Sequence, residues 1–191
     1  MDLDYVGQEK GAAGTSFRFD GTDIAASAGE FTFDIVGTGR QLLGWCVDIA
    51  QTLIQTPTPY AEAPDLLEGP VVENLDRLFT QHYADVVDWV SSAAFQVAIW
   101  EIVYDSADID LSSGRFSLRD QTPDRVDTMA ADFLNLDASA GGYLLSFLRS
   151  EASPVPSQNL VTVAPVPLPA SAGLMLAGFA FLGAARRRGG A

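Results

Sequence analysis

Polar and apolar positions alternate through the first third of the chain and recur at helical spacing in the middle. Ser16-Phe17-Arg18-Phe19-Asp20 and Glu30-Phe31-Thr32-Phe33-Asp34-Ile35 change character at nearly every residue, the pattern of strands with one buried face. Residues 3–50 read as strands, with turns at Asp20-Gly21 and Ala28-Gly29. A third apolar run over 42–49 follows Gly37-Thr38-Gly39 and predicts a strand carrying Cys46, with Trp45 and Val47 facing the other way. Pro57, Pro59, Pro64 and Pro70 predict a long surface loop over 55–70. Helices are predicted over 71–83, with Val72, Leu75, Leu78 and Phe79 on one face, and over 93–104 behind a cap at Ser91-Ser92. In the second helix Phe95, Ile99, Ile102 and Val103 share a face, while Ala93, Gln96 and Trp100 form a neighbouring stripe. Thr122-Pro123 starts a further helix through Leu136, residues 114–118 return as a short strand, and 143–149 with 159–164 read as a closing hairpin. The expected fold is α+β, an antiparallel β-rich sandwich or barrel with several packed helices. It occupies residues 1–153, its closing strand running to about 164, and a proline-rich connector is expected over 154–165.

The pattern changes after residue 165. Val166-Pro167-Leu168-Pro169-Ala170 precedes an apolar run without a charge to Ala185, and Arg186-Arg187-Arg188 follows. Leu168 to Ala185 would extend about 27 Å as a helix, close to a hydrocarbon core of about 30 Å. This predicts a C-terminal transmembrane helix with the arginines as a cytoplasmic stop and everything before Val166 across the membrane. Pentapeptide, span and basic end, in that order over residues 166–191, resemble the PEP-CTERM class of bacterial sorting signals in its VPLPA variant. The resemblance implies an exosortase as partner, export to the cell surface, and transient membrane anchoring before the tail is removed. Met1-Asp2-Leu3-Asp4-Tyr5 lacks the basic and apolar parts of an export signal, so the start is expected to lie upstream of Met1.

A net charge of −14 over 191 residues excludes a nucleic-acid-binding surface and suits an extracytoplasmic one. Cys46 is the one cysteine, which excludes a disulfide within the chain and leaves an inert buried thiol, an intermolecular disulfide or a reactive sulfur. Gln96 sits among apolar and small side chains, where an amide must find partners or be costly to bury. A thiol and a carboxamide pressed together in a dry site can condense with loss of ammonia to an internal thioester. Taken alone, the residues favour a satisfied glutamine and an inert cysteine. Trp45-Cys46-Val47-Asp48 and Phe95-Gln96-Val97-Ala98-Ile99-Trp100, however, resemble the two signatures of the thioester domains of bacterial surface adhesins. The resemblance implies a mixed sheet-and-helix fold across about residues 5–164 and a thioester between Cys46 and Gln96, shielded by Trp45, Phe95 and Trp100. It also implies single-turnover acylation of amines on a surface or an extracellular protein or polysaccharide matrix, without a cofactor and without an enzyme's turnover.

Three other constellations carry alternatives. His82 is the one histidine, and a Cys46–His82 dyad would make a cysteine hydrolase, although a solvated helix-end residue is the plainer reading. Asp105, Asp108 and Asp110 offer carboxylates for calcium but lack the spacing and glycine of a calcium loop, so ordinary turn residues are expected. Glu101 and Asp105 form a like-charge i,i+4 pair, expected to be exposed or bridged to Arg115, and Asp48 is expected to orient the exit from its strand. A structural matrix or biofilm protein of the same fold without a thioester remains the leading alternative to covalent adhesion.

Overall fold

The computed structural model describes residues 1–137 and 139–165. Among these, strands and helices follow in the order β1 (Asp2–Gly7), β2 (Ala13–Phe19), β3 (Thr22–Ala28), β4 (Phe31–Ile35), β5 (Arg40–Cys46), β6 (Thr58–Glu62), α1 (Gly69–His82), α2 (Trp89–Asp105), β7 (Phe116–Leu118), α3 (Asp124–Phe133), β8 (Tyr143–Ser150) and β9 (Leu160–Pro165). Six strands close an antiparallel barrel in the order β1-β4-β5-β9-β8-β6, and β3-β2-β7 form a separate three-stranded antiparallel sheet. The expected mixture of an antiparallel barrel with packed helices is therefore the observed one. The predicted span over 168–185 lies outside the described residues, and among these no helix is long and apolar enough to cross a membrane.

Helix α2 is the centre of the molecule. Every residue from Val90 to Ile102 is buried, as expected for a helix that is apolar nearly all round. On one side the Phe95 ring packs 4.8 Å from Trp45 of β5, and on another the Trp100 ring packs 5.2 Å from Phe17 of β2. The helix thus lies between barrel and small sheet. From α1, whose buried residues Val71, Leu75, Leu78 and Phe79 recur at helical spacing, Phe79 meets Phe95 edge-on at 4.9 Å. The β3–β4 turn docks on α2 through Gly29, where a Cβ would come within 2.9 Å of the Gly11 carbonyl and 3.1 Å of Ser92 Oγ, so glycine is required there.

Four local expectations are corrected. Part of the predicted proline loop is strand β6, which joins β1 to β8 in the barrel. Pro59 fits because the bonds around it use other groups: Tyr60 N–H donates to the Met1 carbonyl at 2.8 Å and Glu151 N–H to the Pro59 carbonyl at 2.9 Å. The expected alternation at the end of β5 is not among them, since Trp45, Cys46 and Val47 are all buried because both faces there are covered. The cap of α2 is Asp88, whose carboxylate accepts Ser91 N–H at 2.9 Å while Ser91 Oγ accepts Asp88 N–H at 3.0 Å. Thr122 does not cap α3, and its hydroxyl instead bridges both backbone groups of Ser16, accepting at 3.0 Å and donating at 2.8 Å. That helix ends at Phe133 rather than Leu136.

The reciprocal cap on the central helix has a measurable worth. Asp88→Ala is expected to lower stability by about 1 kcal/mol, with a thermal midpoint lower by a few degrees. A thermal melt of the variant beside the parent checks this, and an unchanged midpoint would contradict the cap.

Candidate functional site

Cys46 is the last residue of β5, paired with Leu160 of β9, and Gln96 lies two turns into α2. Both side chains are fully buried. The two residues, 50 apart in sequence, are joined by a reciprocal pair of hydrogen bonds: Cys46 N–H donates to Gln96 Oε1 at 2.9 Å, and Gln96 Nε2 donates to the Cys46 carbonyl at 2.8 Å. The carboxamide therefore pairs with the strand end as a peptide group would. One amide satisfies two buried backbone groups, and the backbone in turn satisfies the amide.

The sulfur rests on the backbone of Asp48. The thiol donates to the Asp48 carbonyl at 3.2 Å, and Asp48 N–H donates to the sulfur at 3.3 Å. Burial pushes the Cys46 thiol up to about 12, the Asp48 charge adds to that rise, and Asp48 N–H together with the Trp100 indole opposes it. The Trp100 N–H favours a negative sulfur without reaching hydrogen-bond geometry, and it is buried with no partner. A thiol held protonated in this way is a poor free nucleophile.

Gln96, Trp100 and Tyr104 stand four residues apart and form one stripe of α2, about 12 Å long. The stripe runs beside residues 46–49. At one end Gln96 holds Cys46, and at the other the Tyr104 hydroxyl accepts Ile49 N–H at 2.9 Å. Between them the Trp100 ring is wedged by Phe17 at 5.2 Å and Phe116 at 6.2 Å. Asp48, Ile49, Tyr104 and Asn159 are only partly buried and form the rim of the otherwise closed site. The Asp48 carboxylate accepts Ala50 N–H at 3.1 Å and Asn159 Nδ2 at 3.1 Å. Its expected role at the strand exit matches these bonds.

Cys46 and Gln96 are thus brought together, with Trp45, Phe95 and Trp100 all buried close by. Tyr104 and Asn159 escaped the sequence reading. Tyr104 was detectable as the next step of the Gln96–Trp100 stripe, whereas Asn159 approaches Asp48 only through the pairing of β9 with β5. The sorting pentapeptide Val166 to Ala170 and Arg186, Arg187 and Arg188 lie outside the described residues.

The other candidates go elsewhere. His82 Nδ1 faces Asp85 at 3.4 Å and its ring packs 4.8 Å from Phe133, so it is largely covered rather than solvated and does not touch Cys46. Asp105 accepts the N–H groups of Arg115 at 3.0 Å and Phe116 at 2.7 Å, fixing the start of β7. Asp110 accepts from Ser112 and Ser113, and among the described residues no group of three or more His, Cys, Asp or Glu side chains could hold a metal ion. Glu101 corrects its expectation: it is fully buried, accepts Asp110 N–H at 2.7 Å, and leaves Arg115 to pair with Asp20.

No family model matches the sequence, and no curated protein matches it. The fold has solved counterparts. The N-terminal thioester domain of a surface protein from Clostridium perfringens is 11% identical with a TM-score of 0.50, over 72% of this chain and 89% of that one. A variant of that domain with one cysteine replaced by alanine gives the same values of 11%, 0.50, 72% and 89%. The chain is similar in fold to a thioester domain. The N-terminal domain of the Streptococcus pyogenes pilus tip adhesin Cpa is 14% identical with a TM-score of 0.48, over 73% of this chain and 85% of that one.

Proposed function

We propose that this protein is a cell-surface adhesin whose Cys46 and Gln96 condense to an internal thioester that then acylates an amine. The observation that carries the reading is the Cys46–Gln96 pairing in a fully buried site, at one end of β5 and on the central helix. In the condensation a bond forms between Sγ and the Gln96 carbonyl carbon, the carbon–Nε2 bond breaks, and nitrogen leaves as ammonia with the thiol proton. Gln96 Oε1 already accepts the Cys46 N–H, which polarises the carbonyl toward attack and would hold an oxyanion. Aromatic cover from Trp45, Phe95 and Trp100 keeps water from the bond until a nucleophile arrives. Aminolysis places an N–H where Nε2 had been, beside the carbonyl it served.

The acceptor belongs to another molecule. Lys10 is the one lysine in the chain, and its ammonium pairs with buried Glu30 at 2.9 Å and lies 5.4 Å over the Tyr83 ring. The remaining side-chain cations are arginines, which stay protonated and do not attack. Neighbouring copies thus offer almost no amine, so the reading points to a foreign protein surface or an amine-bearing extracellular matrix. Export, the exosortase and transient anchoring belong to the same proposal and rest on residues 166–191.

Intact mass of the full chain, purified in mild detergent, tests it. The expected mass is lower than that of the sequence by one ammonia, and methylamine is expected to add covalently at Gln96. A full mass, a free thiol on unfolding and no methylamine adduct would favour a non-covalent matrix protein, in which Gln96 serves as the scaffold its two hydrogen bonds already describe.

A further inference from the structure

A closed thioester needs an entry for its nucleophile, and the rim of this site is chemically one-sided. Of the four rim residues Asp48, Ile49, Tyr104 and Asn159, Asp48 alone carries a charge. Its backbone lies against the sulfur at 3.2 and 3.3 Å, so the side chain cannot be far from the bond. Ala50 N–H and Asn159 Nδ2 fix one bond to each carboxylate oxygen. Gln51 N–H also faces this carboxylate, so of its roughly four acceptor positions at least one remains for a further donor. The groups facing it are the Cys46 thiol from β5, the Tyr104 hydroxyl from α2 and neutral Asn159 ahead of β9. Arg115 lies 5.7 Å over the Tyr104 ring but is tied to Asp20, and among the described residues no cation acts on the Asp48 carboxylate. No cation therefore neutralises Asp48, and its charge is felt at both Cys46 and Tyr104.

We propose that the Asp48 carboxylate receives the ammonium of the incoming nucleophile and takes its proton, making the site selective for cationic amines over neutral nucleophiles. This rests on the thioester reading. An alkylammonium is unreactive until it loses a proton. One proton passes to Asp48, the freed lone pair forms a carbon–nitrogen bond at the Gln96 carbonyl carbon, and the carbon–sulfur bond breaks with its electrons on Sγ. A second nitrogen proton goes to the sulfur, the third stays on the new amide, and Asp48 returns its proton to solvent. Asn159 acts as a positioning residue by holding the carboxylate at the rim.

Two nucleophiles of similar size separate this from a turn-holding role: methylamine, a cation at neutral pH, and hydroxylamine, which is uncharged there. In Asp48→Asn the mass deficit of one ammonia is expected to persist. Methylamine incorporation should fall about 100-fold at pH 7 and recover as the pH approaches the amine's own pKa, while hydroxylamine changes less than about threefold. Equal loss with both nucleophiles, or with neither, overturns the proposal. Should Asp48→Asn not form the bond, the same rate ratio is read in Asp48→Glu and Asn159→Ala, which keep the charge and displace it. A lowered ratio supports the role and an unchanged ratio in both overturns it. A wild-type chain with full mass and no adduct of either nucleophile overturns the thioester reading itself, and this proposal with it.

Discussion

Gln96→Leu is expected to be less stable than Cys46→Ala by about 1–5 kcal/mol, although both abolish methylamine uptake. Leucine has nearly the volume of glutamine, so the cavity contribution is small. What is lost is the acceptor for Cys46 N–H and the donor to the Cys46 carbonyl, both in a fully buried site. Each stranded backbone group costs about 1–3 kcal/mol. Cys46→Ala leaves that backbone paired with Gln96 and gives up one sulfur, for about 1 kcal/mol, while the covalent link is missing from both variants and cancels between them. Urea unfolding of both variants, beside methylamine uptake followed by mass, separates scaffold from chemistry. Equal destabilisation of the two variants would mean that the amide does not brace the strand end.

That double role explains why the pair was only half legible in the sequence. Gln96 stands out because it is polar within an otherwise apolar helix, and Cys46 because it is the one thiol. Periodicity placed each on its element. It could not bring them together, because their meeting depends on closing the barrel with β9 beside β5 and seating α2 between barrel and small sheet. The alternating strands and the amphipathic α1 and α3 were legible for a local reason: one face of each is buried. Strand β6 was hidden by Pro59, which the ladder accommodates by bonding through Tyr60 N–H and the Pro59 carbonyl. The cap at Asp88 was missed because the apolar pair Trp89-Val90 follows it, and the serines that looked like caps serve other partners: Ser91 completes the capping box, and Ser92 Oγ accepts Glu30 N–H at 2.9 Å.

Glu101 shows the same limit and yields the second large effect. From its spacing to Asp105 it belonged on an exposed face, but α2 is covered there and the carboxyl is buried with Oε2 unpaired. Burial raises its pKa from 4.5 to about 7, the Asp110 N–H bond opposes that rise, and the charges of Asp105, Asp110 and Asp108 add to it. The folded protein therefore holds this proton more tightly than the unfolded chain does. Between pH 4.5 and about 7 raising the pH must favour unfolding, and above that window the loss is complete. At about 1.4 kcal/mol per unit over this window of about 2.5 units, the group is expected to remove at most about 3–4 kcal/mol of stability. Asp20, Asp23, Asp88 and Asp110 are shifted downward instead, so their contributions disappear on the acid side, below the range where Glu101 titrates. Urea unfolding of the parent and Glu101→Gln at pH 4.5, 6 and 8 isolates the effect, because the variant keeps an acceptor for Asp110 N–H but has no proton to lose. The stability difference between the two should move toward the variant by that amount as the pH rises. Parallel curves would mean that water reaches Oε2 and that the carboxyl titrates as an ordinary surface group.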